Sequence, residues 1–299
     1  MSNELYEMHE AAIKDLSEGH RFNWTLERIF EASDLKKMEL VDVADEAAKW
    51  RSPFASAELY FSHRQYYGDG VQHIIQELKD KPTSNRALYS LLGQSAISGS
   101  GDKPIPSFMS LQCQIDGDTL YCTCCFRALE VGKFLRVNLE EIRQTLVEIH
   151  MGVPRFSKVH LTIFAFHAYV DANRRPLTRP EIEVISIIQL LTLLTKGATV
   201  PPVKKLVALL DELSETLSAV SPRPLQSLID ILSVDTPGIA LDDELLSKKA
   251  QLLNTLPLTL KAAEDLAQLR KSASRGEPMN ASISEYRASL ARLRDILEA

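Results

Sequence analysis

The 299-residue sequence lacks most of the features by which a function can be read directly. It has no glycine-rich phosphate loop, no His-Glu-x-x-His helix and no Gly-x-Ser-x-Gly elbow, so three common routes to phosphate, metal and acyl chemistry are missing. No stretch of about 18 apolar residues is free of charges or strong breakers, and a membrane span is not expected. Met1-Ser2-Asn3-Glu4 has neither the basic nor the apolar region of a signal peptide, which makes the cytoplasm the expected location. Basic residues are fewer than acidic ones, 34 Lys+Arg against 40 Asp+Glu for a net charge of −6, and they form no run. Neutralising a phosphate polymer needs a clustered basic surface, so nucleic acid is not an expected partner.

Cysteine is confined to one place. Cys113, Cys122, Cys124 and Cys125 all fall within 13 residues. A zinc site needs thiolates that converge on one point. Three of these cysteines lie in Leu120–Phe126, which reads as a strand, where successive side chains alternate faces. The expectation is therefore reduced, half-buried strand cysteines and no metal.

What is present is globular. Hydrophobic residues make up 45% and charged residues 25%, and the length suits about two domains. The character changes near residue 172. Before it, strand-like runs at Ala87–Leu92, Phe108–Ile115, Leu120–Arg127 and Val159–Ala165 alternate with helical periodicity at Gly70–Asp80 and Leu139–His150. Asp116-Gly117-Asp118 predicts a tight hairpin between the second and third runs. The first 50 residues read mostly as helix. After the polar break Asn173-Arg174-Arg175-Pro176, whose arginines suit a solvated linker, leucine-rich helices are expected at Glu181–Leu194, Val203–Val220, Leu225–Ser233, Asp242–Leu256, Leu260–Ser272 and Ser282–Leu297. The expected architecture is an α+β domain over 1–172 followed by an all-α extension or small bundle over 173–299.

Polar residues set among apolar strand residues stand out: Gln112, Arg127, Asn138, His167 and Tyr169. Such groups are costly to bury unpaired, and a cluster of them at strand ends suggests a polar ligand pocket. The order in which they occur resembles thymidylate synthase. Pro106-Ser107-Phe108-Met109-Ser110-Leu111-Gln112 stands where that family has Pro-Cys-His-x-x-x-Gln. The hairpin follows, then Arg127-Ala128-Leu129-Glu130 for Arg-Ser-x-Asp, Asn138 eight residues later, and His167-Ala168-Tyr169 for His-x-Tyr. Upstream, Gln72–Arg86 and Ala57-Glu58-Leu59-Tyr60-Phe61 are similar to the family's arginine-bearing loop and its Glu-Leu-x-Trp-Phe segment. The resemblance spans roughly residues 54–172.

It implies a mixed sheet with flanking helices and a homodimer, with a pyrimidine deoxynucleotide as ligand. Arg127 and, from across the dimer, Arg86 would hold the 5′-phosphate. Gln112 would lie beside the nucleotide and Asn138 would read the base edge, while His167 and Tyr169 would hold the 3′-hydroxyl. Glu58 falls at the catalytic glutamate. The nucleophilic cysteine is replaced by Ser107, whose hydroxyl needs an adjacent base, and the following histidine is Phe108. Ala128, Glu130, Lys133-Phe134 and Phe164-Ala165 depart from the phosphate- and folate-contacting pattern, and the chain ends in helix rather than a short apolar tail, so no folate cofactor is expected.

Each residue also has a plainer reading. Arg127 can pair with a surface carboxylate, Asn138 can cap the helix that follows it, His167 and Tyr169 can be core residues, and Glu58 can be a surface acid or a cap. Cys113 lies about 20 Å along the strand from Ser107 and cannot stand in for it. The resulting expectation is a nucleotide-binding pseudoenzyme with a helical region that contacts another protein. The alternatives are a pyrimidine C5-methyl- or hydroxymethyltransferase of altered mechanism, or an assembly protein that keeps only the fold.

Overall fold

A computed structural model of the chain describes residues 3–17, 19–99, 104–170, 179–195, 198–215, 220–234, 240–272 and 277–299. Two compact units separate, Met1–Ser100 with Pro104–Pro176, and Leu177–Ala299. The expected break at residues 173–176 lies outside the described residues.

The first unit runs α1 (Glu4–Asp15), β1 (His20–Glu31), α2 (Ala44–Trp50), α3 (Arg64–Tyr67), α4 (Gly70–Asp80), β2 (Leu88–Ser90), α5 (Gln94–Gly99), β3 (Phe108–Asp116), β4 (Thr119–Phe126), β5 (Leu129–Glu130), α6 (Phe134–Gly152) and β6 (Lys158–Tyr169). Its six strands form one mixed sheet in the order β1-β6-β4-β3-β2, with β5 beside β6. β3 and β4 make the hairpin foreseen from Asp-Gly, and Gly117 takes φ 58°, a conformation that a Cβ disfavours. β4 runs parallel to β6, from Thr119 opposite Lys158 to Phe126 opposite Ala165. Parallel neighbours require a crossover, and β5 with α6 supplies it.

Alternation along these strands sorts the residues by face. Leu111, Cys113 and Ile115 of β3, Cys122, Cys124 and Phe126 of β4, and Leu161, Ile163 and Ala165 of β6 are buried in one core with Leu139, Ile142 and Leu146 of α6 and Ile74 and Leu78 of α4. On the other face Tyr121 and Ile29 remain 45% and 58% exposed, beside polar Thr123, Gln112 and Glu27.

The first 50 residues are not mostly helix: β1 is a 12-residue edge strand. Phe22, Trp24 and Leu26 alternate with polar residues, but Arg28, bonded to Glu4 and Glu7 of α1, and outward-facing Ile29 break the pattern, while Asn23 has positive φ without shifting the register to β6. Asp15 at the end of α1 ties the strand down, accepting hydrogen bonds from Arg21 at 2.8 and 3.0 Å and from the Trp24 indole at 2.9 Å.

α6 carries acids on its side away from the sheet, and they anchor the irregular chain from Leu35 to Gln72. Glu140, fully buried, accepts from the Leu40 N–H at 2.9 Å and from both Nε and Nη2 of Arg143, and Arg143 in turn donates to the Leu35 carbonyl at 3.0 Å. Glu141 accepts from His63 Nδ1 at 2.8 and 2.9 Å. Glu148 accepts from Arg51 at 2.6 Å and from Gln72 at 2.7 Å.

The second unit comprises α7 (Glu181–Val184), α8 (Ile187–Leu194), α9 (Pro202–Glu215), α10 (Arg223–Ser233), α11 (Asp243–Ser272) and α12 (Glu277–Glu298). Three boundaries differ from the sequence reading, one being the start of α12 at Glu277 rather than Ser282. The segment Glu181–Leu194 is two helices, because Ser186 and Gln189 form a capping box that starts α8 afresh. α11 is one helix through Pro257, although proline removes a helical donor and crowds the preceding turn. The leucine stripes close on one another: Leu206, Leu209 and Leu213 of α9, Leu225 and Leu228 of α10, Leu252 and Leu266 of α11, and Tyr286 and Leu293 of α12 share one core. These stripes therefore do not in themselves require a partner. Among the described residues no helix is long and apolar enough to cross a membrane.

Removing one partner of a buried ion pair strands the other. Glu140→Ala should destabilise the first unit by about 3–5 kcal/mol, measured as a shift in the urea unfolding midpoint, whereas replacing Glu140 and Arg143 together with Met and Leu should cost much less.

Candidate functional site

The carboxyl ends of β4 and β6 and the start of α6 meet at one end of the sheet. Arg127 follows β4, and its N–H donates to the Ser107 carbonyl at 3.0 Å, so Ser107 and Arg127 are neighbours across the β3-β4 pair. β5 brings Glu130 beside Tyr169, and the Val131 N–H donates to the Tyr169 carbonyl at 2.8 Å. α6 starts three residues later. Ser107, Arg127, Asn138, His167 and Tyr169 thus gather at the same end.

The start of α6 is already occupied by an acid. The Glu130 carboxylate accepts from the N–H groups of Gly132, Lys133 and Phe134 at 2.8, 2.8 and 3.2 Å, where a helix N-terminus favours negative charge. A Cβ at position 132 would stand 2.8 Å from Glu130 Oε1, which explains the glycine there. This corrects the plainer reading of Asn138. The helix begins at Phe134, not Leu139, so Asn138 lies in its second turn and cannot be its cap. Its amide donates to the Phe134 carbonyl at 2.8 Å. That bond fixes which end of the amide is nitrogen. Asn138 Oδ1, in a residue 4% exposed, meets no hydrogen-bond donor among the described residues.

Arg127 is exposed, and its guanidinium donates to the carbonyls of Pro106 and Ile105, each at 3.1 Å. No carboxylate among the described residues offsets its charge, and burial pulls its pKa below the usual arginine value. The surface ion pair offered as its plainer reading is therefore not what the described residues form.

His167 lies in an aromatic cluster that the sequence reading missed. Its ring stacks on Phe22 at 4.7 Å, meets His20 edge-on at 5.2 Å and leans on Tyr169 at 5.3 Å. Phe22 and Phe166 are both more than half exposed beside it. His20 and Phe22 lie on β1, the strand hidden within a segment read as helix; recognising their two-residue spacing as a strand pattern would have found them.

Arg86 and Gln112 lie elsewhere. Gln112 faces Thr123 and Leu88, four residues before Arg127 along β4, or about 13 Å. Its amide donates to the Asn85 carbonyl at 3.1 Å. The Arg86 side chain is exposed, and its carbonyl accepts from the His73 ring at 2.9 Å. Glu58 is 65% exposed and paired with Lys49 at 2.8 Å, while the next residue, Leu59, packs with Val137 of α6. Within one subunit these three residues are not drawn into the Arg127 group.

A second polar group missed from sequence sits under β3. His63, bonded to Glu141, is enclosed by Trp50, Phe61 and Phe108, with ring centres 5.0, 6.0 and 5.7 Å away. Phe108 continues the stack onto Phe126 at 4.7 Å. The His and Glu are 78 residues apart, so no local signal pairs them.

No group of His, Cys, Asp or Glu among the described residues is placed to hold a metal ion. Cys113 faces Cys122 across the hairpin, and both are buried with Cys124, whose thiol burial pushes well above its ordinary pKa. Cys125 alone is half-buried. No protein-family model and no curated protein matches the chain.

Reactivity of a thiol follows its thiolate character and access. In a Cys125→Ser protein, DTNB should therefore titrate no thiol under native conditions and three once denaturant is added, read by absorbance of the released thiolate.

Proposed function

We propose that the first unit is a thymidylate-synthase-like nucleotide-binding domain that has lost the cysteine-dependent reaction and binds a pyrimidine deoxynucleoside monophosphate without bonding to it covalently. One observation carries this reading: Arg127 is exposed at the end of β4, its guanidinium held by two backbone carbonyls with no carboxylate to offset it among the described residues. A guanidinium positioned by neutral carbonyls keeps its charge available to an anion, and the planar donor fork of arginine suits a phosphate group. The orphan Asn138 Oδ1 supports it, since an acceptor buried without a donor suits the N–H of a pyrimidine edge. His167 and Tyr169 stand at the same end for the sugar. Ser107 has a phenylalanine beside it instead of a base, and its backbone, rather than its hydroxyl, makes the contact to Arg127.

We assign the homodimer implied by the resemblance to the open face of the sheet. Exposed Tyr121 and Ile29 there sit among Thr123, Thr162 and Gln112, with the Glu27–His160 pair beside them. Arg86, at the β2 side of that sheet, has no place in its own subunit's Arg127 group. In the proposed dimer a second copy would bring it to that group.

Calorimetric titration with dUMP, dCMP and dTMP should give binding for at least one of them, weakened about ten- to a hundredfold in Arg127→Ala, as for loss of a hydrogen bond to a charged group. Absence of heat with all three at millimolar ligand would remove the binding claim. Separately, light scattering should find a dimer that Tyr121→Glu converts to a monomer of unchanged circular dichroism; a monomeric wild-type chain would refute the assembly.

A further inference from the structure

The second unit holds a cavity of about 330 Å³ between α7, the start of α8 and the start of α10. That volume is at the small end of ligand sites. Its polar wall contains the guanidinium groups of Arg179 and Arg223 and the hydroxyls of Ser186, Ser221 and Ser227, against a single acid, Glu183. Ile182 and Leu190, both almost fully buried, form its apolar base.

The two arginines have different jobs. Arg179 is tied back, donating from Nη2 to the Glu183 carbonyl at 3.2 Å. Arg223 is exposed and makes no hydrogen bond or ion pair to any other described residue. It opens α10, a helix with no side-chain cap, so its charge adds to the positive end of that helix. α8 likewise begins in the cavity wall, at Ser186.

A further buried group lies near the lining residue Glu183, though it does not itself line the cavity. Tyr286 is 1% exposed, and its hydroxyl has no hydrogen-bond partner among the described residues. Burial and nearby Glu183, a cavity-lining residue, both disfavour its ionisation, so it stays a neutral donor. Orphan polar groups of this kind commonly mark a missing water or ligand.

We propose that this cavity binds a small phosphate monoester with an apolar body. Guanidinium forks, serine hydroxyls and helix N-termini are together the donors that phosphate oxygens use, and the apolar base takes the rest of the molecule. The site is independent of the nucleotide reading of the first unit.

Titration calorimetry on the full chain carrying Arg127→Ala, with phenyl phosphate, inorganic phosphate and benzyl alcohol as probes, tests it. Phenyl phosphate should bind, inorganic phosphate more weakly and benzyl alcohol not at all. Arg223→Glu in the same background should weaken phenyl phosphate about tenfold or more without changing the melting temperature of the free protein. If Arg223→Glu lowers that temperature, Ser227→Asp reads the same loss. The proposal is overturned by no heat from phenyl phosphate at millimolar concentration, by Arg223→Glu and Ser227→Asp proteins that bind phenyl phosphate as tightly as the parent, or by inorganic phosphate binding as tightly as phenyl phosphate.

Discussion

The first unit depends on carboxylates along α6 and just ahead of it. Its sheet side is an ordinary apolar stripe, but the opposite side sends Glu140, Glu141 and Glu148 into the irregular chain between Leu35 and Gln72, and Glu130 caps the helix start. Two of the three helix acids are almost fully buried. An acid so placed costs several kcal/mol unless donors surround it, so each selects one conformation of the segment that supplies them. The loop geometry, and with it the ring box of Trp50, Phe61, His63 and Phe108 under β3, follows from these few bonds.

The candidate site inherits that order. Its residues come from a strand start, two strand ends and a helix, all meeting where parallel β4 and β6 finish. Ligands in open sheets favour such strand ends because the crossover helix begins there and backbone N–H groups point outward. In this chain the helix start is filled by Glu130, leaving Arg127 as the uncompensated positive charge. The arrangement suits holding an anionic ligand better than transforming one, since the position before Phe108 offers a hydroxyl and no general base at its side.

The second unit is self-contained. Its leucines, which in sequence look like interaction stripes, satisfy one another. What it leaves open includes a cavity edged by arginines and serines, next to exposed Ile187 and Ile188. Partner choice by this unit, if it rests on that cavity, is then a matter of charge and hydrogen bonding.

Much of the fold was legible locally. The Asp116-Gly117 hairpin, β3, β4, β6 and the central part of α6 announce themselves by turn chemistry and periodicity, which act over a few residues. β1 was not, because its alternation lapses at Arg28 and Ile29, where the charged residue turns to acids of α1 and the apolar one faces out. The start of α6 was misjudged because its cap is Glu130, which precedes the helix by four residues, while Asn138 has the right chemistry for a cap but sits one turn inside. Sequence by itself determined which residue types could form a site and that Ser107, not a cysteine, precedes Phe108, since both are matters of side-chain identity and order. Only the tertiary structure decided that Arg127 and Asn138 share one end of the sheet with His167, that Glu58 faces solvent, and that His63 meets Glu141, because pairings across 78 residues depend on how strands register and helices pack.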